Sequence, residues 1–233
     1  MKYIAIICAI FAVFMFRGGE QAPVPIAPAS TEEKSKSVFV LFENGGSVPV
    51  EEQAEAVQTV LHLLQQLSDL GKRKATREVQ INLITSALPN RIAWSGNAHQ
   101  LLEQAQSVKD ILIFKESFSD IGMAFETIKT TIAIQRPGSV QLYTVGPFIN
   151  VPFQDTEDPI DVEVPQTIKS DLALTQFMDR LSVLKLYRIH PDQIPELNRY
   201  LTANAVQSRV VKGEIDFSLL GAAQTRSNLN DLL

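Results

Sequence analysis

Residues 38–47, Val-Phe-Val-Leu-Phe-Glu-Asn-Gly-Gly-Ser, constrain the fold of this chain more than any other segment. The five apolar residues at its start predict a strand that is buried on both faces, as in a parallel sheet covered by helices. A polar, glycine-containing loop follows and leads into an amphipathic helix. Open α/β sheets place ligand sites at the carboxyl ends of their strands, so residues 43–47 are expected at a functional edge.

The rest of the chain continues this alternation of strands and helices. The first helix is predicted from Pro49 to Gly71, with an apolar stripe at 3.6-residue spacing made by Ala54, Val57, Leu61, Leu64 and Leu67. Further strands are predicted at 79–85, 91–95, 111–114, 140–145 and 185–189, and further helices at 97–108, 121–134, 170–183 and 192–204. Residues 213–221 are expected to add an edge strand or to pack back on the body. This order predicts an α/β fold with a doubly wound, mostly parallel sheet of the Rossmann-like kind, flanked by helices and carrying one antiparallel edge strand.

The charge of the chain argues against a nucleic-acid partner. The formal net charge is −5, whereas a surface that binds phosphates needs clustered Lys and Arg side chains. The densest basic run, residues 72–77, follows the end of the first helix, where cations complement the helix dipole.

The N-terminus differs in kind from the rest. An unbroken apolar run extends from Tyr3 to Phe16, which is shorter than the roughly 20 residues of a typical membrane span. A cleaved signal peptide is an alternative interpretation of this segment, but the prolines around Ala27 and Ala29 make a poor cleavage site. A buried helix of the domain is disfavoured because this segment is apolar on every side. We therefore expect residues 1–17 to be a single-pass membrane anchor.

Residues 18–37 form a Pro-rich linker that cannot bury enough apolar surface to fold alone. With the anchor before it and a domain at 38–233 after it, the layout is that of a tether. The only cysteine, Cys8, lies in the anchor, so the domain has no internal disulfide, which is compatible with an oxidising compartment. We expect an extracytoplasmic, periplasmic domain, although Lys2 and Arg17 flank the span too evenly to fix its orientation.

A long acidic loop interrupts the regular pattern at residues 147–165, which contain four prolines. Loops of this length are unusual inside compact domains and often form lids or binding loops. The alternative is a solvated insertion that has no binding function. We predict that Asp155, Glu157 and Asp158 contact a basic partner surface.

Three loops of this chain resemble the metal-ion-dependent adhesion site of the von Willebrand factor A (vWA) family. Residues 43–47 stand at its Asp-x-Ser-x-Ser loop, residues 118–122 (Phe-Ser-Asp-Ile-Gly) at its Thr loop, and residues 144–146 at its last Asp loop. The ligand positions of that family fall on Glu43, Gly45, Ser47, Ser119 and Val145. Two of these residues offer no ligand atom, and hydroxyls alone hold Mg²⁺ poorly. The resemblance therefore implies a vWA-like scaffold with a degenerate site, in which only Glu43, Ser47 and Ser119 could hold a weakly bound metal, and no cofactor is expected.

The chain shows no pattern typical of catalysis. His62, His99 and His190 share no spacing suited to metal or base chemistry, and the domain has no thiol. We predict a non-enzymatic, membrane-tethered interaction or scaffold domain in a bacterial envelope assembly of the secretion, conjugation or pilus type. The alternatives are a small-ligand or nucleotide-binding enzyme subunit and a metal-dependent adhesin. The predicted partner-binding residues are Glu43, Asn44, Ser47, Ser119, Asp120, Asp155, Glu157 and Asp158.

Overall fold

Strand β1 (Lys36–Phe42) lies in the middle of the sheet, and its side chains from Ser37 to Phe42 are buried. The computed structural model describes residues 35–72, 79–115, 118–153, 162–170 and 172–233. These described residues pack as one unit. The predicted anchor and nearly all of the linker lie outside the described residues, and none of the described helices has the length and apolar character needed to cross a membrane.

Twelve further helices and strands follow β1 in the described residues. In chain order they are α1 (Val50–Leu70), β2 (Gln80–Thr85), β3 (Trp94–Gly96), α2 (Ala98–Glu103), α3 (Ala105–Ile111), α4 (Ile121–Gln135), β4 (Ser139–Val145), β5 (Leu181–Ile189), α5 (Ile194–Ala203), α6 (Val206–Val211), β6 (Asp216–Gly221) and α7 (Ala222–Ser227). Short 3₁₀ turns occupy Ala173–Gln176, Met178–Arg180 and Pro191–Gln193.

The six strands form one sheet in the order β3-β2-β1-β4-β5-β6. Every neighbouring pair is parallel except β2 and β3, so the predicted mostly parallel sheet with one antiparallel edge strand is confirmed. Phe42 lies opposite both Thr85 and Val145, and Val145 lies opposite Tyr187. The loops that follow β1, β2, β4 and β5 therefore leave the sheet at the same edge, called the carboxyl edge below.

Helices cover both faces of the sheet, which explains why β1 is apolar without alternation. Phe39 and Leu41 belong to a core with residues of α4 and α5, whereas Val38, Val40 and Phe42 belong to a core with residues of α1, α2 and α3. Burying one such side chain contributes roughly 1.5–3 kcal/mol. The burial of this strand on both faces fixes the loop after Phe42 at the carboxyl edge.

Helix α1 has the predicted extent, but its buried stripe is rotated from the predicted one. Gly71 is its C-cap residue, as expected. Leu61 of the predicted stripe is 37% exposed, and Ala54 is also exposed. The buried side chains of this helix are Ala56, Thr59, Val60, Leu63, Leu64, Leu67 and Ser68.

Two predicted elements are wrong. The apolar run 111–114 is not a strand: Ile111 ends α3, Leu112 is its cap, and Ile113 is 63% exposed. The predicted helix 170–183 is replaced by two 3₁₀ turns and the start of β5. Short apolar runs do not distinguish strands from buried helix ends, which accounts for the first error.

Candidate protein-interaction site

Three loops meet at the carboxyl edge of the sheet. They are residues 43–47 after β1, residues 118–120 before α4, and residues 146–153 after β4. The backbone of Ser119 pairs with that of Val151 in an isolated antiparallel bridge, with N···O distances of 2.8 and 2.9 Å. The first and second loops also lie against each other, because Gly45 is close to Phe118 and Ser119, as described below.

Glu43 ties the first loop to the third. Its carboxylate is buried and accepts hydrogen bonds from the backbone N–H of Phe148 (2.8 Å) and of Ile149 (3.3 Å). The Ser47 hydroxyl also donates to it, at 3.5 Å. Burial raises the pKa of the Glu43 carboxyl to about 8, against the lowering effect of these hydrogen bonds. Glu43 therefore acts as an internal connector between loops.

Two glycines allow the loops to approach this closely. A Cβ atom on Gly45 would lie 2.6 Å from the carbonyl oxygen of Phe118 and 2.9 Å from the Cβ of Ser119. Gly146 has φ +149°, and a Cβ there would lie 2.7 Å from the Cδ of Glu43. The first contact packs loop one on loop two, and the second makes room for the buried glutamate.

Asn44 fixes the first loop to the opposite side of the site. Its side-chain Nδ2 donates to the carbonyl of Ile113 (3.0 Å), and its Oδ1 accepts from the N–H of Ala87 (3.2 Å). Its backbone carbonyl accepts from the N–H of Lys115 at 2.8 Å. A single buried amide thus joins β1, the β2 loop and the segment after α3.

Two glutamine side chains order the segment 162–170 against the third loop. The side-chain amide of Gln166 pairs with both the N–H (2.6 Å) and the C=O (2.7 Å) of Asn150. The side-chain amide of Gln193 pairs in the same way with Gln166, at 2.8 Å for each bond. Gln193 is fully buried. Each glutamine side chain therefore binds the backbone N–H and C=O of one residue, as a paired strand would. No signal in the sequence indicates these contacts.

Three large apolar side chains are exposed or half-buried at the carboxyl edge. Phe153 is 74% exposed and meets the half-buried Phe118 edge to face, with ring centroids 5.8 Å apart. Ile113 is also exposed, and its carbonyl is held by Asn44. The predicted loops 118–122 and 147–165 contain Phe118 and Phe153, but neither ring was predicted as a contact residue, and Ile113 was not predicted as one at all. A large exposed aromatic side chain on an ordered loop is typical of a binding surface.

The structure divides the predicted partner-binding residues into three groups. Glu43, Asn44 and Ser119 are 1% exposed or less, so they hold the loops and offer no surface to a partner. Ser47 and Asp120 are half-buried, and Asp120 caps α4 by accepting from the N–H of Met123. The remaining predicted residues lie outside the described part of the chain, and they are Asp155, Glu157 and Asp158.

The donor groups at the carboxyl edge do not fit a Mg²⁺ ion. Glu43, the one carboxylate at the family's ligand positions, already accepts two backbone hydrogen bonds, and its raised pKa favours the neutral form at pH 7. Ser119 has a buried hydroxyl without a hydrogen-bond partner among the described residues, but Gly45 and Val145 supply no side-chain oxygen. Protein-bound Mg²⁺ keeps several waters but is usually held by one or two ionised carboxylates, and a neutral, internally hydrogen-bonded Glu43 is a poor ligand of this kind. The described residues also contain no cluster of three His, Cys, Asp or Glu side chains suited to a metal.

A second polar cluster lies beside the site, where β5 ends. Arg188 has φ +62° and a buried side chain, and its guanidinium pairs with Glu52 (2.9 Å) and Glu55 (3.2 Å) of α1. Hydrogen bonds from Arg226 and Arg188 lower the pKa of the Glu55 carboxyl. Arg188 lines a cavity of about 440 Å³. With its charge matched by two carboxylates, this arginine clamps α1 to the sheet.

Comparison with known proteins gives a structural likeness only. No family model and no curated protein matches the chain. A point mutant of the PilB minor pilin from Streptococcus sanguinis has 9% sequence identity and a TM-score of 0.51, covering 91% of this chain and 61% of its own. The pilus adhesin SpaC from Lactobacillus rhamnosus GG, in an open conformation, has 12% identity and a TM-score of 0.50, covering 86% of this chain and 30% of its own. The chain therefore shares a fold with parts of longer pilus proteins.

Proposed function

We propose that this chain is a membrane-tethered, vWA-like interaction domain that serves as a non-enzymatic structural part of an envelope assembly of the pilus type. The observation that carries the proposal is the group of apolar side chains at the carboxyl edge, Phe118, Phe153 and Ile113. They stand on loops that are joined by hydrogen bonds. Rigid loops lose little conformational entropy when a partner binds, and exposed aromatic residues supply most of the contact energy in many interfaces.

The doubly wound, vWA-like part of the proposal is supported by the strand order and by the position of the loops. The order β3-β2-β1-β4-β5-β6 with helices on both faces resembles the order of doubly wound sheets, which bind ligands at the carboxyl ends of their strands. The loops that carry the sequence resemblance do meet there. The fold shared with a minor pilin and a pilus adhesin adds support for a pilus-type assembly.

The tether is supported by the sequence of residues 1–37. An apolar run followed by a Pro-rich linker allows a domain to search for a partner near a membrane surface. Deleting residues 1–16 should move the chain from the membrane to the soluble fraction of fractionated cells. A deleted chain that stays with the membrane would show that another segment attaches it.

Affinity capture from native membranes tests the docking surface. The full chain is used as bait, alone and as the Phe153→Ser variant. The control is Ile134→Ser. The side chain of Ile134 is 76% exposed, against 74% for Phe153, and Ile134 lies at the C-terminal end of α4, whereas the N-terminal end of this helix is at the carboxyl edge. Capture of the wild-type partners should fall about tenfold or more with Phe153→Ser and stay unchanged with Ile134→Ser. Equal capture by all three chains would contradict this docking surface.

A second candidate, small-ligand binding, is favoured by one observation. A cavity of about 400 Å³ lies beside the first turns of α4, lined by residues such as Ile121, Met123, Phe148, Asn150 and Gln166. This volume is in the range of small-molecule sites. A thermal-shift screen of nucleotides and common metabolites separates the two functions. A ligand that raises the melting temperature of the wild-type chain and of the Phe153→Ser variant by the same amount would favour small-ligand binding.

A further inference from the structure

We infer that β6 is a self-pairing edge, through which two copies of this chain join their sheets in an antiparallel, two-fold arrangement. β6 is the last strand of the sheet, and no strand of the described residues pairs with its outer side. Every second residue of an edge strand turns its N–H and C=O away from the sheet, and such groups pair readily with another strand.

Apart from one charge at its first residue, Asp216, this edge lacks the features that usually prevent such pairing. Its sequence, Asp-Phe-Ser-Leu-Leu-Gly, contains no proline and no lysine, and its residues from Phe217 to Gly221 are half-buried. The edge at the other side of the sheet is different, because β3 has only three residues. Natural proteins protect exposed edges with short strands, charges or prolines. The strand β3 is short, whereas β6 has six residues and a single charge at its first residue, Asp216.

The charges next to β6 do not oppose a second copy. Asp216, at the start of the strand, is paired with Lys185 at 3.1 Å. Glu214, two residues earlier, is paired with Arg209 at 2.9 Å. Both acidic groups at this end of the strand are thus neutralised within their own chain. A second chain meets no unpaired like charge along β6.

The side-chain pattern selects a register centred on Ser218. Residues that face each other across an antiparallel pair lie on the same side of the sheet. The two-fold axis that relates the two copies must therefore pass beside one residue of β6 and not between two residues. With Ser218 at the centre, Phe217 of each copy faces Leu219 of the other, on the face where both pack against the α4 and α5 core. The two Ser218 side chains face each other on the opposite side of the sheet. Centring on Leu219 would leave Phe217 opposite Gly221 and lose both aromatic contacts.

A second copy is the occupant that these features fit, because the strand is complementary to itself. A strand from a different protein would need the same apolar pattern, which nothing in this chain specifies. The proposal is independent of the docking surface at the carboxyl edge, since β6 lies along the side of the sheet. Either can fail while the other stands.

Disulfide trapping tests the pairing and its register in the full chain in mild detergent, with Cys8 replaced by Ser. Opposed residues of an antiparallel pair have Cα atoms about 4.5–5.5 Å apart, which suits a disulfide. Under mild oxidation, Ser218→Cys should give mostly cross-linked dimer on non-reducing gels. Leu219→Cys should give little cross-linked dimer, because position 219 faces Phe217 of the second copy. Ser107→Cys, at an exposed position on α3, measures cross-linking by random collision.

Cross-linking of Ser218→Cys at the Ser107→Cys level, or equal cross-linking at positions 218 and 219, would overturn the inference. A second measurement does not depend on the cysteines. In sedimentation equilibrium, Leu219→Lys should raise the dimer dissociation constant at least tenfold over wild type. A wild-type chain that stays monomeric in this experiment would also overturn the inference.

Discussion

Glu43 occupies the space that a side chain on Gly146 would need. The Cδ atom of this glutamate lies 2.7 Å from the position of a Cβ on residue 146. Its carboxylate then reaches the N–H groups of Phe148 and Ile149 in the same loop. The glutamate at the end of β1 and the glycine at the end of β4 therefore form one structural unit.

Gly146→Ala should destabilise the domain strongly. Its φ of +149° disfavours a side chain, and the new methyl group would displace Glu43. Backbone strain and overpacking together should cost about 2–4 kcal/mol. Gly213→Ala is the matched control, because Gly213 also has positive φ (+71°) but nothing within 4 Å of its added Cβ. The control should lose only about 1–2 kcal/mol in urea unfolding, and an equal loss in both variants would contradict the Glu43–Gly146 contact.

The stability of the domain should fall as the pH rises from about 4.5 to about 8. The Glu43 carboxyl has a pKa of about 8 in the folded chain against 4.5 without its environment. When the pKa of a group is higher in the folded than in the unfolded state, its contribution to stability is complete at a pH below the unfolded-state pKa. That contribution is lost as the pH rises to the folded-state pKa. Each unit of difference is worth about 1.4 kcal/mol, so the free energy of unfolding should drop by several kcal/mol across this window.

Glu43→Gln isolates this effect, because the amide cannot ionise. The variant keeps an oxygen acceptor for the Phe148 N–H and should be less stable than wild type near pH 5 by about 1 kcal/mol. Its unfolding free energy should change little up to pH 8, so the two curves converge or cross. Parallel curves for the two chains would show that Glu43 is not the group responsible.

Divalent ions should leave the domain unchanged. Because Gly45 and Val145 provide no ligand oxygen and Glu43 is hydrogen-bonded internally, millimolar Mg²⁺ should not alter the melting temperature relative to a chelator. The measurement is a thermal melt of the full chain in each buffer. A rise of several degrees that disappears in Glu43→Ala would restore the metal-dependent adhesin as an interpretation.

Gln193→Leu should loosen the segment 162–170 while leaving the sheet intact. The buried amide of Gln193 satisfies both backbone groups of Gln166. Hydrogen exchange at the Gln166 amide should become faster by at least tenfold, with the amides of β4 unchanged. Gln106→Leu is the control, because Gln106 is exposed and its side chain donates to the neighbouring, exposed Asp110 of the same helix. Unchanged exchange at Gln166 would show that other contacts order this segment.

The regular elements near the start of the domain could be predicted from sequence. The unbroken apolar run at 38–42 and the periodic helix ending at Gly71 have few alternative interpretations, and the structure has them at Lys36–Phe42 and Val50–Leu70. The helix predicted at 97–108 begins as expected, with Asn97 and Gln100 forming a capping box at its start. That helix divides at Gln104, which no residue pattern indicated.

The environment of Glu43 could not be predicted. The sequence suggests a polar loop residue available to a ligand, whereas the structure buries it completely. The cause is a contact with Phe148 and Ile149, which lie more than 100 residues later in the chain. Local patterns carry no information about such distant backbone donors, so the sequence could not indicate that Glu43 is buried.

Site-specific photo-cross-linking in intact cells tests the central claim most directly. A photoreactive phenylalanine analogue replaces Phe153, which projects from the carboxyl edge, or Ile134, which is equally exposed at the far end of α4. The account predicts a discrete cross-linked product with an envelope protein from position 153 and none of that product from position 134. The same product from both positions, or from position 134 alone, would contradict a docking surface at the carboxyl edge.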